Sequence, residues 1–188
     1  MRLSDEIKLE LMKYFRFQRS YNCVCSEGIN NADVNAYNGT SLVEVEVKIS
    51  KADFKKEFQT EVKLDNRWKI YKHRNYSEPH KHIMAGYIVP NRFYMCVPVK
   101  LAEWAADYLK DKNQKYGLLY YDTEKFNGHY HIFTKKPARN IHNEEQSNSR
   151  IYLDMSRRTS NELITAKENF LKNYRELEIL KEGIIVNE

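Results

Sequence analysis

Glycine, proline and cysteine are scarce in this sequence, and long apolar runs are absent. The chain has six glycines in 188 residues, with no glycine-rich phosphate loop and no nucleophile elbow, which argues against a nucleotide-cradling loop and a hydrolase-type serine site. Its three cysteines are an odd number, so we expect no disulfide framework and a reducing compartment. No segment approaches the roughly 18 consecutive apolar residues of a membrane span, and the first residues lack the apolar core of a signal peptide. We therefore predict a cytoplasmic protein with no membrane partner.

The composition is that of a globular protein with a mild basic excess. Hydrophobic residues make up 41% of the chain and charged residues 30%, and the formal net charge is +5. A chain of this length can form one domain with a sizeable core, or a domain with a helical appendage. The charge is compatible with a polyanionic partner, but it does not identify one.

Hydrophobic periodicity predicts the element order α, three β, α, β, α, β and a helical tail, which is a mixed α/β domain. We expect a first amphipathic helix from Ser4 and a second helix from Ser50, where Asp53 completes a capping box. Strands are expected at SYNCVCS, ADVNAY, TSLVEVEVK, RFYMCV and YGLLYYD, and GHYHIF extends the sheet. We predict a helix at KLAEWAADYLK, a loop at NYSEPHKHIMAGYIVPN and a linker over residues 138–149. A last helix is expected from Thr159 to about Lys181, with Gly183 as its stop.

The segment from residue 31 to residue 54 carries the most informative chemistry. Asn38-Gly39 between alternating segments predicts a two-residue hairpin turn. That turn places Asp33 opposite Glu44 and diagonal to Glu46, and diagonal neighbours on one face lie about 7–8 Å apart. Lys48 falls on the same face, because side chains alternate with a period of two, and three valines occupy the other face.

Carboxylates that share a strand face repel one another unless positive charge lies among them. Lys48 supplies part of that charge, and a Mg²⁺ ion held by one or two carboxylates, water and substrate phosphate would supply the rest. Such an ion lowers the pKa of its bound water. Alternation of valine and glutamate is also what a half-exposed strand of no special function looks like.

At these residues the chain resembles the PD-(D/E)XK nuclease superfamily, most closely its MmcB-like DNA-repair group and more distantly the archaeal Holliday-junction resolvases. The resemblance covers residues 4 to 122: ADV is similar to the family's Asp strand, EVK at 46–48 to its Glu-x-Lys, and SKADF to its following helix. NRFYMCVP and KYGLLYYD resemble its next two strands. One departure is Ala32, which stands where the family pattern has proline.

The resemblance implies a restriction-endonuclease-like core of order αβββαβ, with a mixed central sheet flanked by helices. It implies such a domain over residues 1–137, and a linker and C-terminal helical extension over 138–188. The implied activity is metal-dependent hydrolysis of DNA phosphodiester bonds, in repair, recombination or phage DNA processing. Mg²⁺, with Mn²⁺ as a substitute, would be held by Asp33, Glu46 and the backbone carbonyl of Val47. Lys48 would orient the attacking water, and an acid of the first helix, Glu10 rather than Glu6, would assist.

A basic segment follows the candidate metal-binding strand in sequence. The residues expected to line a DNA backbone are Lys51, Lys55, Lys56, Lys69, Lys72, His73 and Arg74. Paired potential zinc ligands occur at Cys23-x-Cys25, His80-x-His82 and His129-x-His131, but without the spacing of a four-ligand site we expect no zinc. Two other functions stay open: a nuclease-like fold that binds DNA or a protein without cutting, and a structural or regulatory protein. The form of the DNA, the choice between DNA and RNA, and a homodimer also stay open.

Overall fold

The computed structural model describes residues 2–58, 72–73, 76–125 and 131–185, with side chains as far as residue 177. We number the elements in chain order. The helices are α1 (Leu3–Lys13, continuing as a π-helical segment, Tyr14–Gln18), α2 (Lys51–Glu57), α3 (Pro79–Met84), α4 (Ala102–Lys112) and α5 (Asn148–Ile185). The strands are β1 (Cys23–Ser26), β2 (Val34–Tyr37), β3 (Leu42–Val47), β4 (Arg92–Pro98), β5 (Gly117–Tyr121) and β6 (Ile132–Lys136). Short 3₁₀ turns lie at Ile29–Asn31 and Val99–Leu101.

The strands form one mixed sheet in which spatial order follows chain order, from β1 to β6. The first three strands are antiparallel neighbours. Strands β3, β4 and β5 run parallel, and β6 returns antiparallel to β5. The parallel pairs need crossovers, and α4 forms the one between β4 and β5. The molecule is thus an α/β protein with a mixed sheet, flanking helices and a long C-terminal helix.

Helices cover both faces of the sheet, and each face has its own apolar core. On one face, Val43 and Val45 pack with Ile7 and Leu11 of α1, which confirms the predicted apolar side of β3. On the other face, Phe93 and Met95 of β4 pack with Phe54 of α2 and with α4. Strand β3 is buried along its whole length. Its glutamates therefore lie inside the protein, between the sheet and the second set of helices.

The register of the β2–β3 hairpin differs from the prediction. Tyr37 pairs with Leu42, and Val34 pairs with Val45. Residues 38–41 therefore form a four-residue connection, and the prediction of a two-residue turn is wrong. The Asn38 side chain explains the longer loop, because its Oδ1 accepts hydrogen bonds from the amides of Thr40, at 3.1 Å, and Ser41, at 2.8 Å. Asn35, and not Asp33, stands opposite Glu44. The shift is two residues, so every side chain keeps its predicted face.

The last helix begins earlier and ends later than predicted. It starts at Asn148 and runs to Ile185, so Thr159 is an interior residue whose hydroxyl donates to the Met155 carbonyl at 3.0 Å. Its first turns pack against β1, because Ile151 and Met155 are buried with Cys25 and its neighbours. Ile151 and Met155 lie four residues apart within a polar segment. This apolar periodicity is too short to predict that the helix begins before Thr159.

Two other segments also differ from the expectations. The predicted loop before β4 contains the short helix α3, whose first residue is Pro79, the position where a helix tolerates proline best. The expected sheet extension at GHYHIF is strand β6, which begins at Ile132, and residues 126–130 lie outside the described part of the chain. Over the described residues, none of the helices combines the length and apolar character that crossing a bilayer requires.

Candidate functional site

The predicted acids and lysine meet where β3 ends and β2 begins. Continuing the observed register beyond Val34 and Val45 brings Asp33 beside Glu46. The two carboxyl groups influence each other: burial, and then the charge of Glu46, raise the pKa of Asp33. Lys48 Nζ lies 2.9 Å from Glu46 Oε2. The structure therefore brings Asp33, Glu46 and Lys48 together. Asp33 lies directly opposite Glu46, whereas the sequence predicts that the two residues are diagonal neighbours.

Asp33 is held from two sides. Its Oδ2 accepts a hydrogen bond from the amide of Val47 at 2.7 Å. Its Oδ1 lies 2.8 Å from Nζ of Lys8, on α1, and the same ammonium also contacts Glu27. Sequence reasoning does not find Lys8, because it lies at the border of the apolar face of α1, where a lysine is ordinarily solvated.

Lys48 is buried between two acids. Besides Glu46, its Nζ contacts Glu57 of α2 at 3.0 Å, and its side chain is only 5% exposed. Sequence reasoning also misses Glu57, although a signal exists: it lies three residues after the buried Phe54, on the inward face of the helix. Helix α2 thus supplies the second carboxylate that holds Lys48 in place.

A second lysine extends the cluster towards the interior. Nζ of Lys72 contacts both Glu44 and Glu46, and Tyr76 donates a hydrogen bond from its hydroxyl to Glu44 Oε2 at 2.6 Å. Asn30 Nδ2 approaches the same oxygen at 3.4 Å. The cluster is therefore a buried network of acids and lysines, not an exposed acidic strip.

The electrostatics distinguish the acids from one another. Burial raises the pKa of Glu44 to about 7, against the opposing effect of Lys72. Burial would also raise the pKa of Glu46, but the positive charges of Lys72 and Lys48 outweigh burial and lower that pKa. Burial alone would lower the pKa of Lys48, but the charges of Glu46 and Glu57 outweigh burial and raise that pKa. Near neutral pH, Glu46 is thus a carboxylate and Lys48 an ammonium, which makes Lys48 a hydrogen-bond donor and not a base.

The first-helix acids lie elsewhere. Glu10 is buried, as expected, but its carboxylate contacts Lys13 Nζ at 2.8 Å and accepts from the His131 amide at 3.4 Å. Glu6 accepts a hydrogen bond from the Tyr121 hydroxyl. The residue of α1 that contacts Asp33 is Lys8. The geometry therefore gives Glu10 no contact with the carboxylates of the cluster within the described residues.

The predicted DNA-contacting residues that the structure describes divide into two groups. Lys51, Lys55 and Lys56 are exposed on α2. Lys72 and His73 instead turn inward, where Lys72 contacts the acids of β3 and His73 contacts Glu57 at 3.2 Å. Lys72 is buried and His73 is half-buried, so the structure places both in the acidic cluster and not on the exposed face of α2. Lys69 and Arg74 lie outside the described residues.

The donor chemistry at Asp33 suits a hard divalent cation. Asp33 and Glu46 supply carboxylate oxygens, and the pKa of Asp33 is raised by burial first and by the charge of Glu46 second, which the contact with Lys8 does not fully offset. The Val47 amide points at Asp33, and in an extended strand the carbonyl of the same residue points to the same edge. Two carboxylates and a carbonyl are donors of the kind that Mg²⁺ uses together with water and phosphate. Among the described residues, no group of three or more His, Cys, Asp or Glu side chains is arranged to bind a metal by itself.

The structure gives the surroundings of two of the paired sulfur and imidazole residues. Cys25 is buried in the core beneath α5, and burial raises the pKa of its thiol to about 12. His80 is exposed and lies 3.3 Å from Glu144. His129 lies outside the described residues.

Comparison with known proteins gives no relative for this chain: no family model, no curated protein and no solved structure matches it.

Proposed function

We propose that the protein is a Mg²⁺-dependent deoxyribonuclease with a PD-(D/E)XK site. The observation that carries the proposal is the meeting of Asp33, Glu46 and Lys48 at the edge of the sheet where β2 begins and β3 ends. The three residues come from the motif positions that the sequence resemblance singles out, and the observed register brings Asp33 directly opposite Glu46, where the hairpin spacing predicts only a diagonal neighbour.

The topology supports the same proposal. Helix α1 and strands β1 to β3 precede α2, and β4 then pairs parallel to β3. Apart from the short helix α3, which precedes β4, this order is compatible with the αβββαβ order expected of a restriction-endonuclease-like core, and α1 and α2 lie on opposite faces of the sheet. In this proposal residues 1–137 form the nuclease domain, and residues 138–188 add the connection and α5.

Each residue of the site has a defined role in the proposal. Asp33, Glu46 and the Val47 carbonyl would hold Mg²⁺, which when bound supplies an acidic water and charge for the phosphate oxygens. Lys48 donates hydrogen bonds and orients the attacking water, and Glu57 fixes its ammonium from the opposite side. Exposed Lys51, Lys55 and Lys56 would contact the DNA backbone.

Metal-dependent cleavage tests the proposal. Supercoiled plasmid, single-stranded DNA and a branched junction are incubated with the protein in Mg²⁺, in Mn²⁺ and in EDTA. The proposal predicts cleavage of at least one form in either metal, none in EDTA, and loss of cleavage in Asp33→Asn or Glu46→Gln.

One observation favours the alternative of a nuclease fold that binds without cutting. Each oxygen of the Asp33 and Glu46 carboxylates already contacts a lysine ammonium or a backbone amide. A metal would have to share or displace these partners. In the alternative, the lysines neutralise the acids permanently, and the protein binds DNA in EDTA as well as it does in Mg²⁺ but cuts none.

We also propose that two copies of the chain pair through α5. Beyond the turns that pack on β1, this helix exposes large apolar side chains, including Leu163, Phe170 and Leu177, which are 54%, 68% and 57% exposed. Their seven-residue spacing is that of a coiled-coil seam. Most helical stability in proteins comes from the packing of an apolar face, and a matching helix of a second copy would bury these side chains. The thiols of Cys23, Cys25 and Cys96 are free, in keeping with the proposed cytoplasmic location.

A further inference from the structure

A groove lies between the β1–β2 connection and the first half of α5. Its volume is about 480 Å³. Its charged lining residues are Arg150, Arg157, Arg158 and one acid, Asp154, so the groove is basic. Nothing in the proposed catalytic chemistry uses these arginines.

The groove follows from the way α5 sits on the sheet. Ile151 and Met155 are buried against β1, and Ser26 of β1 donates to Glu162 at 2.7 Å one turn beyond Arg158. Positions 150, 154, 157 and 161 line the groove and are separated by four, three and four residues, so they form one stripe along the helix. The stripe runs beside the buried seam and faces the connection between β1 and β2.

Two of the arginines in the groove are available to a ligand. Arg150 donates to the Gly86 carbonyl at 2.6 Å. Arg157 and Arg158 are exposed, and neither forms an ion pair with any residue in the described portion of the chain. Exposed, unpaired guanidinium groups bind phosphate with two parallel hydrogen bonds, which a carboxylate-saturated arginine cannot offer.

The opposite wall of the groove leads to the acidic cluster. Asn30 lines the groove, and its Nδ2 donates to the Ile88 carbonyl at 3.1 Å and approaches Glu44 at 3.4 Å. Glu44 shares Lys72 with Glu46. Asn30 therefore separates the groove from Glu44 by a single side chain, and Glu44 is linked through Lys72 to Glu46 of the candidate site.

An aromatic ring adds a second recognition element. Tyr87 lines the groove and is 59% exposed. Nucleic acid bases stack on such rings irrespective of sequence, whereas free anions gain nothing from them. Arginines beside an exposed tyrosine thus match a nucleotide strand better than an isolated phosphate ion.

We propose that this arginine groove binds the sugar–phosphate backbone of a nucleic acid strand next to the candidate site, with Arg157 and Arg158 on phosphate and Tyr87 stacked on a base. The inference rests on the proposed function for the nature of its ligand. It gives the first half of α5 a role in holding the strand.

Binding in EDTA tests the groove separately from catalysis. A fluorescent single-stranded oligonucleotide is titrated with the full chain by anisotropy, at salt concentrations between about 50 and 200 mM. Arg157→Ala/Arg158→Ala should weaken binding at least tenfold at low salt, and the slope of log K against log salt should fall by about 0.7 for each phosphate that is no longer neutralised. Tyr87→Leu should weaken binding about fivefold or more at every salt concentration.

The matched control is Lys167→Ala/Lys172→Ala, which removes the same charge from exposed positions of the same helix outside the groove. It should bind as the wild type does. Arg157→Lys/Arg158→Lys, which keeps the charge but not the planar fork, should fall between the wild type and the alanine variant. Thermal melting of every variant checks that the fold is retained.

The outcomes separate this inference from the proposed function. Equal affinity and slope for the wild type and the arginine variant, together with metal-dependent cleavage by the wild type, would overturn the groove and leave the nuclease. Loss of binding in the arginine variant of a wild type that never cuts would uphold the groove and refute the nuclease. Displacement of the oligonucleotide by millimolar inorganic phosphate at matched ionic strength would identify a free-phosphate site and overturn the strand assignment.

Discussion

Lys48 is the residue whose removal should most disturb both the fold and the chemistry. Its ammonium lies 2.9 Å from Glu46 and 3.0 Å from Glu57, and its side chain is 5% exposed. At these distances and an effective dielectric constant of about 20, each attraction is roughly 5–6 kcal/mol before desolvation is subtracted. Replacing Lys48 with methionine leaves two buried carboxylates without this partner. Breaking a buried pair in this way destabilises proteins by about 3–5 kcal/mol, and we expect Lys48→Met to fall in that range.

The companion variant makes the origin of the destabilisation measurable. Glu57→Gln removes one of the two charges that Lys48 neutralises, so the double variant Lys48→Met/Glu57→Gln should be less destabilised than the sum of the two single variants. For groups in direct contact this coupling is about 0.5–3 kcal/mol. Urea unfolding followed by circular dichroism, with equal slopes for all four proteins, gives the cycle. A Lys48→Met protein within about 1 kcal/mol of the wild type would refute the reasoning, because it lies below the range for a broken buried pair.

Three further expectations follow from the same geometry. Because Lys8 Nζ lies 2.8 Å from Asp33 and competes with a cation for that carboxylate, Lys8→Met should bind Mn²⁺ more tightly, by roughly fivefold for a partly exposed pair. Titration calorimetry measures this, and unchanged or weaker binding would contradict the metal assignment. Lys55→Ala/Lys56→Ala, on the exposed face of α2, should reduce the slope of log K against log salt for duplex DNA by about 0.9 for each phosphate that these lysines neutralise. The control Lys110→Ala/Lys112→Ala on α4 should leave the slope unchanged. Equal slopes for the wild type and the α2 variant would show that α2 does not contact the DNA. Sedimentation should find a dimer that Leu163→Gln/Phe170→Gln/Leu177→Gln converts to a folded monomer, and a monomeric wild type would refute the pairing of α5.

Local pattern is enough to predict the strand faces and the grouping of Glu46 with Lys48. Period-two alternation puts Glu46 and Lys48 on one face of β3 and the valines on the other, and the structure agrees. The predicted hairpin loop is too short because the Asn38 side chain binds the Thr40 and Ser41 amides, a competing local preference that the Asn-Gly signal does not reveal. The error does not move Asp33 to the other face, since a register shift of two residues preserves the alternation.

The partners of the site residues could not be predicted from the sequence. Lys8 and Glu57 come from helices on opposite faces of the sheet, and only tertiary packing brings them to the end of β3. A lysine at the border of an amphipathic helix is ordinarily solvated, so its spacing carries no signal of an ion pair. The buried position of Lys72 is equally a tertiary result, since its neighbours in sequence suggest an exposed basic surface.

Single-turnover cleavage by the wild type and by Asp33→Asn is the most direct test of the nuclease assignment. Both proteins are incubated in excess with labelled duplex, single-stranded and branched DNA and with RNA, in Mg²⁺, in Mn²⁺ and in EDTA, and their binding is measured in parallel. We predict that the wild type cuts at least one DNA form only when metal is present, and that Asp33→Asn binds that substrate but cuts it at least about a hundredfold more slowly, the usual scale for removing one group that stabilises the transition state. A folded, metal-supplied wild type that cuts none of these substrates, or an Asp33→Asn protein that cuts as fast as the wild type, would contradict the assignment.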